Sequence, residues 1–332
     1  MKAVRVHSYG KRPSVDDIPV PKVTGPLDVL VQVGAAGLCR TDLHIMEGQW
    51  AEKSGVTLPY VIGHENAGWV REVGPAVTNV APGDAVILHP LVTCGLCRPC
   101  RSGDDVHCEN SKFPGIDVDG GMAEFLLTSA RSVVKLAPGL EPAAVAALAD
   151  AGLTAYHAVR KAVPLLYPGT TCVVIGAGGL GHIGIQCLVA MTATRVVVID
   201  PNDGARALAS ELGAHEVRPE GKGLEDSADL VLDFVGEQGA EAQGLAMTKR
   251  AGNYFVIGYG GSVNIPTIDL ISTERNIIGN LVGSYNDLDE LMTLAAQGKV
   301  TLHTKTYPLT AVNEAMDDLE AGRLRGRGIL VP

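Results

Sequence analysis

The chain of 332 residues is 46% hydrophobic, 19% charged and only 4% aromatic, with a formal net charge of −10. That length exceeds what one hydrophobic core usually organises and implies about two domains. An acidic, aromatic-poor chain lacks the positive footprint and stacking platforms of a nucleic-acid binder, and 40 glycines without a three-residue period exclude collagen.

In chain order, residues 1–150 read as β-rich. Short apolar runs at Val29–Val33, Val61–Ile62, Trp69–Val73 and Ala85–Leu88 are punctuated by Gly and Pro. Pro142–Val163 reads as helix. From Thr171 onwards strands and helices alternate, with strands expected at Cys172–Ile175, Arg195–Ile199, Asp229–Val235, Tyr254–Ile257 and Ile277–Val282. Leu180–Met191, Asp203–Leu212 and Gly239–Lys249 suit the crossover helices of a parallel, doubly wound sheet. Between a short strand at 215–218 and the next strand, PEGKGLEDSA is too short and too rich in Gly and Pro for a full crossover helix. Asp287–Pro332 is expected to hold a helix, a strand near Thr304–Tyr307, a second helix and the terminal strand GILVP.

Ala162–Thr194 contains no Asp, Glu, Lys or Arg, which raises the question of a membrane span. Two prolines and six glycines in that run favour a buried strand followed by a buried helix, so no membrane association is expected. The opening MKAVRVHSYGKRPS has no apolar stretch of signal-peptide length. Seven cysteines, four of them between 94 and 108, point to metal binding in a reducing, cytoplasmic compartment rather than to disulfides.

Gly176-Ala-Gly178-Gly179-Leu180-Gly181 places G-x-G-x-x-G between an apolar strand and a helix. The first glycine permits the tight turn, the second lets backbone approach a pyrophosphate, and the third lets helix and strand pack closely. Phosphate would rest on N–H groups at the helix N-terminus. A second strand ends in Asp200, nineteen residues after Gly181, where a carboxylate accepts from both ribose hydroxyls of NAD and repels a 2′-phosphate.

Cys94, Cys97, Cys100 and Cys108 supply four thiolates from one loop, the donor set of a closed structural zinc site. A redox pair would need only two thiols, one of them exposed and acidic. A nucleic-acid zinc ribbon conflicts with Asp104, Asp105 and Glu109 in the same loop.

The remaining pieces are CRTDLH from Cys39 to His44, Gly63-His64-Glu65, and Asp150. Together with Gly68, Gly74 and Val77 after Gly63-His64-Glu65, the four-cysteine lobe and GAGGLG, in that order, the chain resembles the zinc-containing medium-chain alcohol dehydrogenases over its whole length. The resemblance implies an α/β protein in which a Rossmann doubly wound parallel sheet is inserted into a β-rich GroES-like catalytic domain. The boundaries implied are 1–151 for the GroES-like part with its zinc lobe at 94–108, 152–285 for the NAD-binding domain, and 286–332 for the completing segment.

The resemblance also implies two zinc ions per chain, one catalytic and one structural. Cys39 and His64 match catalytic zinc ligands, and Glu65 matches a neighbour that coordinates when substrate is absent. Asp150 stands where the family commonly has Cys; alcohol dehydrogenase is itself the standard example of a Cys2His catalytic site. Asp in that place keeps the ligand charge but exchanges soft sulfur for hard oxygen, while a helix cap is the plainer role for the same residue. Alcohol would be oxidised through a zinc-bound alkoxide, with hydride passing to NAD and ketone or aldehyde as product. Thr41 would take the proton and His44 release it to solvent, with Asp42 orienting a ligand imidazole. Arg40 and Arg327 would bind the pyrophosphate, and Thr154 would pack near the nicotinamide. Ala205 stands where family members often have Lys or Arg, with Arg206 beside it.

Trp50, Leu91, Phe113 and Ile116 are candidate pocket walls, favouring hydrophobic secondary, aromatic or primary alcohols over polyols. Asn276–Ser284 resembles an apolar edge strand at a subunit contact, and bacterial members of the family are often tetramers, so the resemblance implies a homo-oligomer with a homotetramer favoured. Two alternatives are a zinc-independent quinone- or enoyl-type reductase of the same superfamily and a non-catalytic, zinc-stabilised dinucleotide binder. The first would lack the donors at 39, 64 and 150 and the acid at 200; the second would have no use for the surplus donors.

Overall fold

The structure, a computed structural model, describes all 332 residues, which divide into two compact units. One contains Met1–Ala151 and Ser284–Pro332, the other Gly152–Gly283.

The first unit is built on the long strand Asp28–Leu38. Its alternation of buried and more exposed side chains gives one face to the core, and it pairs with three strands: Glu65–Val73, Phe125–Ser129 and the C-terminal Arg327–Val331. Further pairings extend the sheet to Ala85–Leu88, Val133–Lys135 and Thr304–Pro308. Val31, Val33, Leu38, Ile62, Met122, Met316 and Leu330 meet in its core. The register places Glu65 and Ile329 opposite the same residue, Gly37. A side chain at Gly37 would collide with the Glu65 carboxylate, so the glycine is what lets that carboxylate lie against the strand.

The second unit is a six-stranded, all-parallel sheet in the order Glu216–Arg218, Arg195–Ile199, Thr171–Ile175, Ala228–Asp233, Thr248–Val256, Asn276–Gly279. The first strand in sequence lies between neighbours on both sides, so the order reverses there, and a crevice opens at the carboxyl ends of such strands. The uncharged run resolves into the strand Thr171–Ile175 and the helix Gly181–Met191, each buried over most of its length. No helix is long and apolar enough to cross a membrane. No helix separates Glu216–Arg218 from Ala228–Asp233, as the composition of that connection requires.

Three elements differ from expectation. The helix expected over Pro142–Val163 is broken: a turn at Pro142–Val145, a 3-10 segment at Ala146–Ala149, then the helix Ala151–Ala162. The break falls at Asp150, whose φ of −129° and ψ of −59° lie outside helical values. The strand expected to run to Val235 stops at Asp233, because the Asp233 carboxylate takes the N–H groups of Val235 and Gly236 out of the ladder. The edge strand stops at Gly279, short of Val282.

Candidate active site and zinc lobe

Two groups of side chains in the first unit have the chemistry of metal sites: Cys94, Cys97, Cys100 and Cys108, and Cys39, His64, Glu65 and Asp150. Within each group the ligand atoms lie within 4.8 Å of one another. Tetrahedral zinc with bonds of about 2.0–2.3 Å spaces its donors by about 3.3–3.8 Å.

In the cysteine lobe, backbone N–H groups converge on sulfur. Leu96 and Cys97 each donate to Cys94 Sγ at 3.4 Å, and Cys94 and Asn110 donate to Cys108 Sγ at 3.2 and 3.4 Å. Those donors lower the Cys94 thiol to about 6, whereas burial and the neighbouring thiols push Cys100 up to about 12. Four thiols so close cannot all ionise without a cation among them, and the donor set fits zinc. The lobe is anchored by buried Asp105, which accepts from the Tyr285 N–H at 2.9 Å.

The second group is assembled from distant segments. Cys39 precedes the helix Arg40–Met46, and its N–H donates to Asp42 Oδ2 at 2.8 Å in the manner of a capping box. His64 is 1% exposed, yet neither ring nitrogen has a hydrogen bond. Its Nε2 stands 3.4 Å from Asp150 Oδ2, and its Nδ1 stands 3.5 Å from Asp42 Oδ1. Burial works to lower the imidazole pKa, but the Asp42 and Asp150 carboxylates outweigh it and the net shift is upward. A buried, unbonded nitrogen at donor-to-donor distance from a carboxylate, beside a thiol, fits a shared cation; zinc suits a set of S, N and O. Asp42 behind Nδ1 is placed to fix the tautomer. Phe113 packs edge-on to the His64 ring at 5.9 Å.

Glu65 is otherwise engaged. Arg327, 3% exposed, makes two hydrogen bonds to its carboxylate, and the Ala151 N–H adds a third at 3.1 Å. Burial opposes the charge of Arg327, but Glu65 and Cys39 raise its pKa, so it remains a guanidinium. Of the residues expected to bind pyrophosphate, Arg327 is thus buried against Glu65, and Arg40 is exposed in the first turn of its helix. Thr41 and His44 are half-buried and three positions apart, hence on one helix face. Ile116 belongs to the core of this unit, with Trp50 and Phe113 packed against it, and Leu91 is also buried.

In the second unit Gly176, at φ +85°, turns the chain from the strand Thr171–Ile175 towards the helix that starts at Gly181. A methyl group on Gly181 would collide with the Gly176 carbonyl, so the close packing leaves room for nothing larger. Gly178, Gly179 and Leu180 form the turn ahead of the helix, whose first N–H groups suit an anion. Asp200 lies beside this loop: its Oδ2 accepts from the Ala177 N–H and its Oδ1 from Asn202, each at 2.8 Å. Arg206 donates to the Asp200 carbonyl at 2.7 Å and pairs with Asp203. Thr154 is half-buried in Ala151–Ala162. What residue-by-residue reading missed is Asp233, fully buried at the end of the strand on the other side of the Gly loop. Its signal was an acid closing an apolar strand, the same pattern as Asp200.

Residues 25–138 match the alcohol dehydrogenase GroES-like domain, and residues 179–297 match the zinc-binding dehydrogenase family. An NAD-dependent alcohol dehydrogenase of Sulfolobus acidocaldarius is 35% identical across 99% of both chains. Among solved structures, the alcohol dehydrogenase of Aeropyrum pernix is 43% identical over the full length of both chains, with a TM-score of 0.97. Acetophenone reductase from Geotrichum candidum, solved in complex with NAD, is 30% identical with a TM-score of 0.91, covering 100% of this chain and 97% of its own. With the donor sets in place and both halves matched, this chain belongs to the zinc-containing medium-chain alcohol dehydrogenase family.

Proposed function

We propose that the protein is a zinc-dependent oxidoreductase that moves hydride between an alcohol and NAD. The observation that carries this reading is the buried His64, unbonded at both nitrogens and set among Cys39, Asp150 and Asp42, in addition to a complete four-cysteine lobe. A purely structural zinc protein has no use for the second set. Cys39, His64 and Asp150 would hold the catalytic zinc, with Glu65 withheld on Arg327 and able to approach the ion only by leaving it. The four cysteines would hold the structural zinc.

When bound, zinc supplies a Lewis acid that makes a hydroxyl acidic near neutral pH, and NAD supplies the hydride acceptor. The protein's own part is positional and protic. The Thr41 hydroxyl accepts the alcohol proton as it releases its own, and His44 on the same helix face passes the released proton to solvent. Gly176–Gly181 receives the pyrophosphate and Asp200 the adenosine ribose, with the carboxylate setting the preference for NAD over NADP. The catalytic portion is assigned to 1–151 and 286–332, and the coenzyme domain to 152–285.

Phe113 beside His64 and the likeness to acetophenone reductase support a hydrophobic secondary or aromatic alcohol. Exposed Ile268, Ile271 and Leu281 near the edge strand Asn276–Gly279 support contact with a second copy and, from there, a homotetramer. Four of the seven cysteines gathered as one metal-binding set, rather than spread for pairing, support a cytoplasmic site of action.

The test is elemental analysis of protein purified without added metal, followed during chelation. The reading expects about two zinc ions per chain, one of them leaving in step with alcohol-dependent NAD reduction. One zinc per chain, with no activity on adding more, would overturn it.

A further inference from the structure

The parallel sheet carries a carboxylate at the carboxyl end of the strand on each side of Thr171–Ile175. Asp200 follows Arg195–Ile199, and Asp233 ends Ala228–Asp233. A dinucleotide lies across the point where strand order reverses, one nucleotide to each side. With the adenosine half at Asp200, the nicotinamide half falls on the side of Asp233. These two carboxylates are built for different tasks.

Asp233 is fully buried and spends its oxygens within the protein. Its Oδ1 accepts from the N–H groups of Val235 and Gly236 at 2.8 and 2.9 Å, and its Oδ2 accepts from the Tyr254 hydroxyl at 2.7 Å. Its backbone carbonyl accepts from Ile257 and Gly258 at 3.0 and 2.9 Å. The turn so held, Phe234–Gly236, touches both of its neighbours at the mouth of the crevice. The Phe234 N–H donates to the Ile175 carbonyl at 3.0 Å, and a methyl group on Gly176 would come within 2.7 Å of Val235 Cγ2. On the other side the Gly236 carbonyl accepts from the Gly261 N–H at 2.7 Å. Side chains at Gly236 or Gly258 would collide with the opposing backbone. A shift of this turn therefore moves the loop after Thr248–Val256, to which its backbone is packed and hydrogen-bonded.

We propose that Asp233 is a positioning residue for the nicotinamide half of the coenzyme, setting the height of the Phe234–Gly236 turn through its bonds to Val235, Gly236 and Tyr254. It touches no reacting atom. The proposal rests on the NAD reading above and adds to it a division of labour: Asp200 selects the adenosine ribose, and Asp233 shapes the shelf for the opposite end.

Calorimetric titration of the zinc-loaded full chain with NADH and with ADP-ribose, which lacks only the nicotinamide ring, isolates the contribution of that ring. Wild type binds both; failure to bind NADH would overturn the coenzyme reading itself. Asp233→Ala is expected to weaken NADH about tenfold while ADP-ribose stays within about twofold. Asp233→Asn, which keeps an acceptor for the two backbone N–H groups, is expected to restore most of the NADH affinity. Equal weakening of both ligands, no weakening of either, or no rescue by Asn would overturn the proposal, whatever happens to the melting temperature. Should Asp233→Ala fail to fold, Tyr254→Phe releases Oδ2 alone. It is expected to weaken NADH about threefold and leave ADP-ribose unchanged, and equal effects on both would again overturn the proposal.

Discussion

The two candidate zinc sites of the first unit are built by opposite routes. The cysteine lobe takes four donors from fifteen consecutive residues and stabilises sulfur with N–H groups of its own turns. The other site takes its thiol, imidazole and carboxylates from separate elements, and it holds the imidazole in a buried place with no hydrogen bond. A closed set of four like ligands suits holding structure. A mixed set with a carboxylate drawn away to Arg327 would, on the function proposed above, leave a coordination position open to substrate.

That contrast is open to direct attack. The largest effect is expected from His64→Ala, which removes a donor from the mixed site alone. It should cut kcat for alcohol oxidation by on the order of a thousandfold or more, the scale of losing a metal's charge stabilisation. Zinc should fall to one per chain and the melting temperature should change little. Two zinc ions in the inactive variant would show the contrast to be misdrawn. Cys97→Ser strikes the other site: if the lobe's zinc is lost, the cost is about 3 kcal/mol or more, or roughly 6–12 °C in melting temperature for a unit of this size. Activity measured below that transition should survive within a fewfold; immediate loss of turnover would put the lobe in the chemistry.

A finer probe is Asp150→Cys, which makes the mixed site more like the lobe by replacing oxygen with sulfur. Zinc should leave to a chelator several-fold more slowly, as a soft donor suits it better. Unchanged release would remove Asp150 from the ligand set. The smallest effect lies outside both sites. Hydrogen bonds from Lys305, Tyr307 and Arg323 hold Asp318 below the ordinary carboxylate range. Its stabilisation is therefore present above the unfolded value near pH 4 and is lost as pH falls through the lower folded value. Asp318→Asn should flatten the acid limb of a melting-temperature profile without changing zinc content; an unaltered limb would mean the cluster contributes nothing.

The difference between the sites is also a difference in legibility. The four cysteines could be read from spacing because their geometry is local, and the same holds for Gly176–Gly181 beside its strand and helix. Cys39, His64 and Asp150 could be associated only through a resemblance, since no spacing rule connects them. Helical periodicity across Pro142–Val163 concealed the break at Asp150, where folding gives up regular helix and turns a carboxylate towards His64. Asp233 was passed over because an acid ending an apolar strand reads alike whether it faces a ribose or its own loop.

By itself the sequence determined what is set within a turn or a strand: the sulfur lobe, the pyrophosphate turn, the strand–helix alternation and the missing crossover after Arg218. Tertiary structure decided which side chains share a site. Arg327 reaches Glu65, 262 positions away, because the strands holding them both pair with Asp28–Leu38 and Gly37 leaves room for the carboxylate. Local motifs follow from backbone geometry over a few residues. Register across a sheet depends on which faces of distant strands can be buried together, and that is settled only when the core closes.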